Sequence, residues 1–265
     1  MAIVTISRGT FAGGARLAEL LGQRLGYQTV SREALYQKVQ QDYGITEDEL
    51  IQIMTWAPTH VGPGGDRRRR LFAAIQAALC ALLEDDGVVY HGQAGHLLLP
   101  DIDHVVRVRL IAPRTLRIEM AMEREGLSPH QASLKIDQVD SERARWTEFV
   151  FGANWADPGL YDLVLNLDRI TLESATRLVC ETVNLQELQP NEASRRRMAQ
   201  LALRSAVLAR LLGDPATADM GLSVEVEDRR VTITGPVDPR HHDLVRQVVA
   251  RVDGVDEIRI AGPHA

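Results

Sequence analysis

"AIVTISRGTFAGGARLAEL", residues 2–20, decides how the chain is read. Ala2-Ile3-Val4-Thr5-Ile6 is a short apolar run, the pattern of a strand covered on both faces in a parallel sheet. We place that strand at residues 2–7. A helix of about ten residues follows and stops near Gly26, a suitable C-terminal cap. The glycines lie between strand and helix. Phosphate is held there by backbone N–H groups and by the positive end of the helix dipole. Gly13 and Gly14 sit where that geometry arises. The full phosphate-loop pattern is G-x-x-x-x-G-K-[ST]. With Gly9 and Gly14 as its glycines, Ala15 and Arg16 stand where Lys and Ser/Thr belong. Taken alone, the stretch leaves a phosphate loop and a plain strand-to-helix turn equally open.

Composition narrows the classes. The chain has 265 residues, 45% apolar and 25% charged, in the range of ordinary globular proteins. Its net charge of −6 argues against nucleic acid as a partner. Lys38 and Lys135 are the two lysines, so none lies near the glycine-rich loop. Cys80 and Cys180 fall inside apolar helical patterns and predict buried thiols, neither a disulfide framework nor a metal site. The N-terminus lacks a basic region followed by an apolar core. The longest apolar run, Leu71 to Leu83, is broken by Gln76 and is too short to span a bilayer. The expectation is a cytoplasmic protein with no transmembrane segment.

Further along, Gln28-Thr29-Val30, Val88–His91, 104–113 and 161–170 read as strands. Between them, helices are expected from Ser31, from Thr46 with Glu49 as a capping box, over Leu71–Leu83, 114–125, 128–152 and Thr171–Leu188. Such alternation predicts an α/β fold, a parallel sheet flanked by helices. "APTHVGPGGD", 57–66, reads as a loop, and "RRRR", 67–70, stands before a helix, where cations oppose the dipole. A phosphate, an acidic partner or plain solvation would account for them. "QPNEASRRR", 189–197, is polar and lacks an apolar period, as a linker does. After it come a helix, strands 222–227 and 231–235, a helix over 239–252 and a strand at 256–262: a small α+β unit. The expected domains are 1–188, a linker at 189–198, and 199–265.

The order of motifs carries a family resemblance. "SRGTFAGGARLAELLGQRLGY", "SREALYQKV", "GITEDEL", "GQAGHLLLPDIDHVVRVRLIAPRTLRIEMAMEREGLS" and "KIDQVDSERARWTEFVFGANWADPGLYDLVLNLDRITLESA" resemble, in that order, the cytidylate-kinase-like family. The resemblance covers most of residues 1–185. It implies a P-loop kinase fold with a phosphate loop, an acceptor lobe and an arginine-bearing lid. It further implies ATP and Mg²⁺ as cofactors and phosphoryl transfer to a nucleoside monophosphate such as CMP or dCMP. Ser7, Arg8, Gly9, Thr10, Gly13, Gly14 and Ala15 would hold the ATP phosphates. Ser31, Arg32, Tyr36 and Gln93 would lie on the acceptor side. "VDSERAR" matches the lid and puts Arg143 and Arg145 on the transferring phosphate, with Arg16 as a further cation. Phosphoryl transfer asks mainly for positioning and positive charge, and arginine's fork suits phosphate oxygens.

Three departures bear on turnover. The loop has no lysine. Relatives with the Gly-Gly form carry Arg next; here Ala15 takes that place and Arg16 follows, about 100° further round the helix. No Ser/Thr occupies the usual Mg²⁺ position, leaving Ser7 or Thr10 as substitutes, and Gln93 replaces a basic residue. An active kinase and a nucleotide-binding sensor or scaffold with little turnover both remain. Nearby, His91 and His96 lack ligand-spaced partners and read as ordinary polar residues. Trp146, Phe149 and Trp155 read as packing groups before base-stacking ones.

"LSVEVEDRRVTITGPVDPRHHDLVRQVVARVDGVDEIRIAG" resembles the BON domain over about residues 199–262. That resemblance implies a regulatory or interaction module, with a protein partner or a weak phospholipid contact.

Overall fold

The computed structural model describes residues 1–50 and 65–262. The expected loop at 57–66 lies largely outside the described residues. Two compact units are present. One contains Met1–Ala34 and Asp85–Asn191; the other contains residues 35–50, 65–84 and 192–262.

The first unit is built on strands β1 (Ile3–Arg8), β2 (Gln28–Ser31), β3 (Val88–His91), β4 (Val105–Ile111) and β5 (Leu163–Asn166). Their order is β2-β3-β1-β4-β5, and every pairing is parallel. β1 is central, paired through Val4 with Val89 of β3 and Val106 of β4. Its apolar residues are therefore buried on both faces, with Ile3, Val4 and Ile6 at most 1% exposed. Helix α1 (Gly14–Leu25) presses Leu17, Ala18 and Leu21 into the same core. It ends at Gly26, whose φ of 70° suits glycine. β1 is also where the strand order reverses, so the crevice beyond its carboxyl end is the place where open α/β sheets bind ligands.

The long polar helix is present at Pro129–Phe151. Ser128 caps it and Gln131 returns the bond, a full capping box. The helix after β5 is shorter than expected: Leu172–Val183, capped by Thr171, with a separate 3-10 turn at Gln186–Leu188.

In the second unit, the helix containing Leu71 starts earlier than the pattern predicts. It spans Gly65–Leu82, so Arg67–Arg70 lie in its opening turns and not ahead of it. Arg69 donates to the Leu222 carbonyl at 2.8 Å and Arg70 to the Tyr43 carbonyl at 3.5 Å. These bonds give two of the four arginines structural work. Thr46 and Glu49 form the expected capping box.

The stretch expected as a linker is largely helical. A single helix runs Glu192–Gly213. It is buried on two sides: Ser194, Met198, Leu201, Ser205, Ala209 and Leu212 form one stripe, and Leu203, Val207 and Leu211 another about 200° round. The first stripe faces helix Gly65–Leu82, where Cys80 meets Ser205. The second joins the core of a three-stranded sheet, β6 (Ser223–Glu227), β7 (Arg230–Thr234) and β8 (Glu257–Ala261). β6 and β7 are antiparallel; β7 and β8 are parallel. Helix His242–Val249 packs Val245, Val248 and Val249 into the same core. Among the described residues, no helix is long and apolar enough to cross a membrane.

Candidate functional site

The carboxyl end of β1 turns through Gly9–Gly13 into α1, and Gly13 adopts φ 82°, left-handed. At Gly14 an added Cβ would meet the Arg8 side chain, which would have to move off the loop. Gly9 faces another guanidinium, with an added Cβ 3.1 Å from Arg117 Cζ. The two small residues thus let two arginines close on the loop backbone. Among the described residues, five non-glycine residues have positive φ, and three are Asp. The other two, Phe11 and Ala94, sit in this loop and in the Gly92–Gly95 loop beside it. Such strained positions gather at binding loops.

Four side chains converge here. Arg8 crosses above Gly14 and donates to the Gly92 carbonyl at 3.3 Å. Arg143, from the lid-like helix, donates to the Arg8 carbonyl at 3.0 Å and to Thr10 Oγ1 at 3.1 Å. Arg117, three residues into the helix Arg114–Glu125 that follows β4, donates through Nε to the Thr10 carbonyl at 2.7 Å. The carboxylate of Asp140 completes the group. Its Oδ1 accepts from the Thr10 backbone N–H at 2.9 Å and from the Thr10 hydroxyl at 2.7 Å. Its Oδ2 accepts from Arg117.

Burial makes this charge costly. It pushes the Arg143 guanidinium down to about 10, helped by Arg8 and opposed by Asp140. Burial likewise lowers Arg8. Arg143 stays protonated at neutral pH, so the loop holds positive charge that an anion stabilises.

Ser7, Arg8, Gln93, His96, Arg143 and Trp155 line a cavity of about 10 Å³, room for about one water and not for a nucleotide. Beneath it, Arg109 lies over the Trp155 ring at 4.4 Å and donates to the Trp155 carbonyl. Tyr161 donates to Ser7 Oγ at 3.2 Å, and its ring meets His96 at 4.6 Å. Trp146 is buried edge-on against Phe151, which matches the packing reading for that residue; Phe149 is exposed and departs from it.

The structure brings together Ser7, Arg8, Gly9, Thr10, Gly13, Gly14, Gln93 and Arg143 of the residues the sequence singles out. Arg32 is near enough for its charge to act on Arg8 and Arg143, and Ala15 directly follows Gly14; the rest lie elsewhere. Arg16 is exposed and pairs with Glu19 at 2.9 Å. Arg145 is exposed and has no hydrogen-bond or ion-pair partner among the described residues. Ala15 is half-buried in the first turn of α1. Ser31 accepts from the Ala34 N–H at 3.2 Å, and Arg32 donates to Glu33 at 3.0 Å. Tyr36 is buried and belongs to the second unit.

Arg117, Asp140, Arg109 and Tyr161 are additions that sequence reasoning missed. A signal for the first two was present. Arg114 and Arg117 stand three apart, as do Asp137 and Asp140, and they meet as Arg114–Asp137 and Arg117–Asp140.

The model of the cytidylate kinase-like family matches residues 3–169, and the chain belongs to that family. The BON domain model matches residues 200–261. The chain is 24% identical over 175 residues to a cytidylate kinase of Methanopyrus kandleri, covering 63% of this chain and 85% of that one. It is 27% identical over 183 residues to a cytidylate kinase of Natronomonas pharaonis, covering 69% and 89%. In fold it is similar to the crystal structure of an uncharacterized protein from Eubacterium ventriosum. There the TM-score is 0.55 and the identity 19%, over 69% of this chain and 98% of that one.

Proposed function

We propose that the chain transfers a phosphoryl group from ATP to a nucleoside monophosphate of the CMP or dCMP type. One observation carries this reading. Three guanidinium groups, Arg8, Arg117 and Arg143, gather on a glycine-rich loop at the carboxyl end of the central strand. Arginine supplied in this way does the work of the absent loop lysine: it binds phosphate oxygens and offsets charge that develops as the phosphoryl group moves. The loop N–H groups and the N-terminus of α1 add to that field. Among the described residues, no three His, Cys, Asp or Glu side chains form a metal cluster. Mg²⁺ would therefore arrive held mainly by the nucleotide's own phosphates, which suits its reluctance to shed water. The BON-like unit would serve as a regulatory or docking module.

A second reading, a nucleotide-binding sensor with little turnover, is favoured by a separate observation: Asp140 and Arg8 fill the loop's interior in this conformation. ADP release from ATP and Mg²⁺, measured with CMP, dCMP, UMP, AMP and GMP, separates the two. Turnover with one acceptor, lost in Arg143→Ala, supports the kinase. Saturable ATP binding without turnover supports the sensor.

A further inference from the structure

We propose that Asp140 is an internal stand-in for phosphate, occupying the loop until an anionic ligand displaces it. This inference rests on the nucleotide-binding reading above. The carboxylate receives the set of donors a phosphate oxygen takes at such a loop. They are a backbone N–H (Thr10, 2.9 Å), a hydroxyl (Thr10 Oγ1, 2.7 Å) and the Arg117 guanidinium, with Arg143 Nη1 at 3.7 Å. Asp140 shares its helix with Arg143, so one element carries both a loop-binding cation and the anion that competes for the loop.

Packing does not require a carboxylate here. A helix that only had to rest on the loop could do so with a neutral residue. A charge at Asp140 instead offsets part of the positive charge of Arg117 and Arg143. Displacement then has a defined consequence. When a phosphate takes the Thr10 and Arg117 donors, Asp140 loses its partners and repels the incoming group, so the helix must shift. A site closed in this way binds with an affinity lowered by the fraction of molecules that are open.

The test is calorimetric titration of the full chain with tripolyphosphate and with ATP, both in EDTA, for wild type and Asp140→Asn. Asparagine keeps the shape and the acceptor oxygen and removes the charge. About tenfold tighter binding is expected in the variant, the size of effect given by relieving closure of about 90% of the molecules. The melting temperature of the unliganded variant should fall, because Arg117 loses its partner, and tripolyphosphate should restore it. Asp140→Ser, also short and uncharged, repeats the test if the asparagine variant fails to fold. Equal or weaker binding by the variants, with binding detected in wild type, overturns the inference and leaves nucleotide binding standing. No binding of either ligand by any folded form, in EDTA and again with Mg²⁺ in excess, overturns both.

Discussion

Arg143 and Arg145 are neighbours in sequence and face different surroundings. Arg143 is tied to the loop at Arg8 and Thr10, while Arg145 is exposed. Arg143→Ala is therefore expected to lower kcat/KM by about 10²-fold, the scale of losing one donor to a developing charge, and by more than Arg145→Ala does. Steady-state kinetics of the two single variants checks this. The thiols differ as well. Burial pushes Cys80 up to about 12, and Cys180 is raised by burial but half-exposed. Iodoacetamide at pH 8 should label Cys180 first and reach Cys80 only on unfolding, as mass spectrometry can follow. At this scale the glycines were legible in the sequence, because the left-handed backbone of Gly13 favours glycine and small residues at 9 and 14 leave room for the arginines. Arg117 was harder to find. Its place depends on a helix of the lid, and the charge pairing of Arg114 and Arg117 with Asp137 and Asp140 shows only when two separate segments are set side by side.

The elements were legible where one apolar period governs them. β1 is apolar throughout because both its neighbours are strands and both its faces are covered. The helix Glu192–Gly213 was missed at its start because it serves two cores. Its two stripes lie almost opposite one another, so no single amphipathic face stands out, and its first turns are polar. The stripe through Leu203, Val207 and Leu211 joins the core of the three-stranded sheet. Leu211, fully buried, should cost about 3 kcal/mol on change to Ala, a transfer loss plus a cavity. Urea unfolding of Leu211→Ala against wild type measures it, and a loss below about 1 kcal/mol would show that the helix is not packed as described.

At the scale of the whole molecule, pH acts through a buried imidazole. His96 is held down to about 4 by burial first and then by Arg107 and Arg109. Below its ordinary value of 6.5 the unfolded chain takes up a proton that the folded chain refuses until about pH 4. Protons therefore favour unfolding across that window. Stability falls as pH drops from 6.5 toward 4, by about 3 kcal/mol for this one group. His96→Gln, neutral throughout, should flatten that part of the curve of Tm against pH, read as the difference from wild type between pH 7 and pH 4.5. The parallel architecture of the first unit was legible from alternating strands and helices. The composition of the second was not, because the packing of residues 65–82 along residues 192–213 joins segments more than a hundred positions apart.

That packing limits how the gene can be rearranged. Transplanting residues 192–262 alone would carry over a helix with one apolar side bare, and ending the chain at Asn191 would strand the matching side of Gly65–Leu82. The C-terminal segment is thus not a cassette that can be added or dropped at a single junction: any viable transfer has to take residues 65–82 along with it.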